Sequence, residues 1–121
     1  MESLLQCTRR PDITFRRNGK IDISSHAAKM LGLERGDVID VLKDRGEYYL
    51  YIRLRNPAGN HNARAFPTYG RGQHFRSWCQ RLCTAMMQIC GVDSDARLSV
   101  GEPLHDDAHG TLLPIITRCM L

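Results

Sequence analysis

The 121-residue sequence predicts a mostly β, α+β fold, in which short strands are interrupted by two helices. Three observations lead there. Apolar residues recur two apart in short runs within 13–23, 38–53 and 96–116; two stretches, 24–31 and 74–90, carry helical spacing instead; and Gly, Asn or Asp stands near the junctions between them. With 42% hydrophobic residues the chain can bury a core, and no apolar run approaches the length of a membrane span.

In ITFRRNGKIDI (13–23), Ile13 and Phe15 are in phase, as are Ile21 and Ile23. Asn18-Gly19 would suit a two-residue turn, but that register sets Phe15 opposite Asp22 and splits the apolar residues between two faces. A wider loop follows, with Arg16, Arg17, Asn18, Gly19 and Lys20 expected at its tip. Ser24 or Ser25 can cap a helix through Leu31, and Gly32 supplies its left-handed stop. Under three turns long, this helix must rest Ala27, Met30 and Leu31 on neighbouring strands. Arg35-Gly36-Asp37 turns the chain into VIDVL (38–42), and Asp44-Arg45-Gly46 reverses it into EYYLYIR (47–53), the clearest hairpin in the sequence. On its second strand Tyr48, Tyr49 and Tyr51 suit core and interface positions.

Residues 56–72 are rich in Asn, Pro and Gly and read as a linker or excursion loop. From His74 to Cys90 the apolar positions 75, 78, 79, 82, 83, 86, 89 and 90 fall on one helical stripe, which puts Phe75 and Trp78 in the core; Gly91 ends the helix. ARLSV (96–100) and TLLPII (111–116) form a closing hairpin, with Pro114 marking an edge strand. One echo links the halves: Leu31-Gly32-Leu33 and Cys90-Gly91-Val92 each end a helix shortly before a strand.

Charge is uneven along the chain. Lys+Arg total 17 against 13 for Asp+Glu, and 14 of the 17 are Arg. Residues 1–56 hold 11 basic and 8 acidic groups, residues 57–84 hold 4 and none, and residues 85–121 hold 2 and 5. A polyanion would therefore meet the first two thirds. Arg forks onto phosphates and guanine edges, so the bias leans towards nucleic acid. Arg71, Arg76 and Arg81, interleaved with aromatics, offer a secondary nucleic-acid surface.

Other chemistries are poorly supported. The five cysteines are odd in number, and Cys79, Cys83 and Cys90 cluster on one helical face, which suits reduced core thiols better than a disulfide framework or a zinc knuckle. His105, Asp106, Asp107 and His109 share one turn, where successive side chains diverge, so no metal is expected. There is no glycine-rich phosphate loop, His-Glu-x-x-His or nucleophile elbow. The reading is a non-enzymatic protein without a cofactor. The opening MESLLQCTRRPD has neither a signal-peptide nor a transit-peptide pattern, and the expected location is the cytoplasm.

Taken together, ITFRRNGKIDIS, SHAAKMLGLERGDVIDVL and EYYLYI resemble the swapped-hairpin DNA-binding domain of the AbrB, SpoVT and MazE antitoxin group, most specifically at Met30-Leu31-Gly32-Leu33-Glu34-Arg35-Gly36-Asp37. The resemblance covers about residues 13–52, inside a segment bounded at 9–55, and leaves the helix plus β-hairpin segment 73–121 unassigned. It implies a dimeric barrel in which two chains interlock their hairpins, hence a homodimer binding double-stranded DNA as a bacterial transcriptional regulator or antitoxin-like protein. A segment this small also leaves sheet faces uncovered, so a second copy is expected to supply them. Carried over by position, Arg16, Arg17 and Lys20 would meet bases or phosphates, Asn18 and Gly19 would allow close approach, and Arg9 and Arg10 would hold the backbone. The first turn and the Asp22-Ile23-Ser24 step depart from the family's usual residues. The alternative is an adaptor that only dimerises through this unit and binds a protein partner through residues 57–121.

Overall fold

The computed structural model describes residues 10–68 and 73–118. Arg9 and Arg71, named above, lie outside them, as do Cys7 and Cys119 of the five cysteines. The elements run β1 (Ile13–Phe15), β2 (Lys20–Ile23), α1 (Ser25–Leu31), β3 (Val38–Asp44), β4 (Glu47–Leu54), β5 (Phe66–Pro67), β6 (Phe75–Trp78), α2 (Gln80–Cys90), β7 (Ala96–Val100), β8 (Leu104–Asp106) and β9 (Gly110–Ile116). The fold is mostly β, with two helices among the described residues, and its strands form one curled antiparallel sheet in the order β3-β4-β9-β7-β1-β2-β6-β5, with β8 on β9. No helix there is long and apolar enough to cross a membrane.

The first hairpin takes the wider loop. Ile13 faces Ile23 and Phe15 faces Ile21, so all four turn inward. Arg16 N–H donates to Lys20 O, Gly19 N–H donates to Arg16 O, and Gly19 adopts φ 94°, which closes a three-residue turn through a left-handed glycine. Only Arg17 and Asn18 project from it; Arg16 and Lys20 are half-buried and Gly19 is covered. Ser24 caps α1 by accepting the Ala27 N–H, and Gly32 stops it at φ 73°.

The helix expected from His74 begins instead at Gln80. Residues 75–78 form β6, where Phe75 and Ser77 point inward while Arg76 and Trp78 point outward. A strand on β2 satisfies every backbone group that a first helical turn would, and the inward face of the sheet selects the two-residue period. Phe75 is in the core as expected. Trp78 is not: it is 55% exposed.

The C-terminal strands also pair differently from a simple hairpin. β7 meets β9 only through Ser99 and Val100, while its first half lies on β1. Inside the expected connection, β8 covers the first half of β9. β9 is therefore interior, and Tyr49 of β4 stands opposite Pro114. Pro114 is tolerated because its carbonyl, which accepts the Gly101 N–H, points to the side where the neighbour changes from β8 to β7, and the missing N–H falls in that gap.

The two halves of the chain are interleaved. β1 pairs with β7, β2 with β6 and β4 with β9. Residues 63–65 reach both free ends of the sheet: Ala63 N–H donates to Trp78 O, Ile39 N–H to Ala63 O, Ala65 N–H to Asp37 O and Gly36 N–H to Ala65 O. Exchanging the halves maps this pairing scheme onto itself, with 63–65 in the place of β1, β6 of β2, α2 of α1, β7 of β3 and β9 of β4. Gly32 and Gly91 occupy equivalent caps, at φ 73° and 69°, and the next residues, Leu33 and Val92, donate back to Ala28 O and Met87 O. The echo in the sequence is the trace of this pseudo-twofold arrangement. Within this chain the second half covers the strands of residues 13–52 on the sides that a second copy was expected to cover. Phe15, Ile21, Leu50, Leu98 and Leu113 are fully buried in it, and α2 packs across β1, β2 and β7.

Candidate nucleic-acid interface

Register places the outward residues of the first sheet region in rows. Arg97 lies opposite Thr14, Thr14 opposite Asp22, Asp22 opposite Arg76 and Arg76 opposite Phe66. Beside this row Lys20 faces Trp78, and its Nζ sits 5.8 Å from the ring centroid. Arg16 continues the outward side of β1 past Thr14. The face thus joins Arg16, Lys20, Arg76 and Arg97 to two exposed aromatics, Phe66 and Trp78, from both halves.

Asp22 fixes two of these cations. Its Oδ2 accepts Arg16 Nε at 2.6 Å and its Oδ1 accepts Arg76 Nε at 2.9 Å, while Arg16 Nη1 also reaches Asp95 Oδ2 at 3.2 Å. Arg16, expected as an open base contact, is tied inside the molecule on two sides. Desolvation pushes the Asp22 carboxyl up, but the hydrogen bonds and charges of Arg16 and Arg76 outweigh it and hold it below the ordinary carboxylate value. A folded value below the unfolded one gives stability that is present above about pH 4 and is lost as pH falls through the folded value. Asp22→Asn should therefore lower stability at neutral pH and flatten its acid limb, as read by denaturant midpoints across pH. An acid limb as steep as that of the wild type would show that Asp22 contributes nothing to it.

The turn at the end of this face is held from the other half. Arg17 N–H donates to Asp95 Oδ1 at 2.9 Å, Gln80 Nε2 donates to Arg17 O at 2.9 Å, and a Cβ on Gly19 would stand 3.0 Å from Gln80 Oε1. Asn18 Oδ1 accepts the Lys20 N–H. The Arg17 side chain remains exposed and uncommitted on a rigid loop. Arg10 is exposed beside a cleft that Arg16 and Arg76 also line. Arg81 is on α2, in the wall of a second cleft with Val38, Asp40 and Arg53.

Arg97 was missed by sequence reasoning, although its place between buried Ala96 and Leu98 was readable from the alternation in ARLSV. The pairing of Asp95 with Arg16 leaves no local signal. Among the described residues no group of three or more His, Cys, Asp or Glu could hold a metal. Asp106 instead accepts the N–H of His109 and contacts its Nδ1 at 2.6 Å. Cys79, Cys83 and Cys90 are free thiols, and burial pushes Cys83 up to about 11, far from a reactive thiolate. Compared with protein-family models, with curated proteins and with solved structures, the chain finds no match.

Proposed function

We propose that the protein binds double-stranded DNA through this face, as a transcriptional regulator or antitoxin-like protein of the swapped-hairpin type that residues 13–52 resemble. The observation that carries the reading is the convergence of Arg16, Lys20, Arg76 and Arg97 on one outer sheet face that ends in the braced Arg17-Asn18 turn. Phosphates are met by Lys20, Arg10 and Arg97, while Arg16 and Arg76, paired with Asp22 and Asp95, set the shape of the face between them. Arg17 is the residue placed to fork onto a base edge, with Asn18 beside it. The interleaving of the two halves within one chain supports a reading in which each chain presents two related but inequivalent halves to a duplex.

Fluorescence anisotropy of labelled duplexes at two salt concentrations tests this. Wild-type affinity should fall steeply with salt. Arg17→Ala should cost about 1–3 kcal/mol on a preferred sequence and much less on random duplex. An equal loss on every sequence would make Arg17 a phosphate contact. No binding at low salt would overturn the DNA reading.

A further inference from the structure

We infer that the cleft beside α1, on the outer side of β1, β2 and β6, is a site for a phosphate ester. Its volume is about 790 Å3, within the range of small-molecule sites, and its walls come from both halves of the chain. Arg10, His26, His74 and Arg76 converge on it.

The charge balance of the cleft favours an anion. Two carboxylates stand in its wall, and both are engaged: Asp22 lies between Arg16 and Arg76, and Asp12 Oδ2 accepts the Val100 N–H at 3.0 Å. Arg76 spends only Nε on Asp22, which leaves its two terminal nitrogens as donors. Arg10 and the rings of His26 and His74 bond to none of the described residues, and each imidazole carries an N–H donor whatever its protonation state. Several forked or ring donors around one space, with no unengaged carboxylate facing them, match the oxygens of a phosphate. Pro11 adds an apolar edge to the lining, against which an attached sugar can rest.

The phosphate could belong to the duplex backbone, which would deepen the DNA reading and rests on it, or to a free nucleotide. One variant separates these. His26→Ala/His74→Ala removes two exposed rings and their donors, leaves the Asp22 pairs intact and should not move the melting temperature. Calorimetric titration uses inorganic phosphate and a nucleoside monophosphate, and anisotropy uses duplex DNA, each with wild type and variant. For a free-nucleotide site, wild type binds the monophosphate and the variant loses at least about tenfold. For a backbone site, the variant's duplex affinity falls by at least about tenfold at both salt concentrations. Binding of the monophosphate without any duplex binding supports the cleft and removes the DNA reading. Unchanged duplex binding by the variant, together with no monophosphate binding by wild type, overturns the cleft and leaves the DNA reading standing.

Discussion

Cut between Ala58 and Gly59, the chain should give two fragments that are unfolded alone and regain a cooperative transition when mixed. The first fragment would keep the β1–β2 and β3–β4 hairpins and α1, but not β6, β7 or β9, on which β2, β1 and β4 lie. An isolated two-stranded hairpin is marginal in water, and a chain of under 60 residues has little core to spare. Ile13 and Phe15 would lose Leu98 and Ala96 across the strand, and Leu50 would lose Leu113. The second fragment fares no better, because β5 and β6 would have no β2 and α2 no β1 to cover. Far-ultraviolet circular dichroism and denaturant titration of each fragment and of their equimolar mixture would read this directly. Cooperative folding of the first fragment as its own dimer would show that a second copy can replace the second half, and the pseudo-twofold account of the core would then describe only one of two solutions.

How far the sequence reached depended on the range of the interaction. The loop of 16–20, the Ser24 cap, the Gly32 stop and the hairpin of 38–53 are decided by neighbours along the chain, and residue pattern alone carried them. β6 escaped because a four-residue strand is too short for its period of two to outweigh apolar positions that also continue the stripe of α2. Interleaving of the halves escaped for a different reason. Which strand lies beside which is set by long-range packing, and matched core positions such as Phe15 and Ala65, or Leu50 and Ile115, share burial without sharing identity. The binding face shows the same division. Arg16, Lys20 and Arg76 were visible one by one and Arg97 was not, but the bonds of Arg16 to Asp22 and Asp95 belong to the tertiary structure, and of the two arginines expected at bases they leave only Arg17 uncommitted.

Asp37→Ala should destabilise the protein by about 2–3 kcal/mol, the scale expected when buried backbone donors lose their acceptor, because the Arg55 side chain is 58% exposed and water screens its charge. Asp37 is 1% exposed at the corner between α1 and β3. Its Oδ2 accepts the Glu34 N–H at 2.8 Å and Arg55 Nη1 at 2.8 Å, and its Oδ1 accepts the Asn56 N–H at 3.0 Å. The same Arg55 nitrogen donates to Gly32 O, so one carboxylate ties the end of α1, the Gly36 turn and the exit of β4 together. Alanine would leave two backbone N–H groups without an acceptor and a guanidinium without its counter-charge. Asn retains one acceptor oxygen but presents an NH2 to donors on the other side, so Asp37→Asn should recover only part of the loss. Urea unfolding midpoints with an unchanged m-value would measure both. A loss under about 1 kcal/mol for Asp37→Ala would mean that water replaces the carboxylate at this corner, and that the Gly-Asp turn is set by backbone geometry alone.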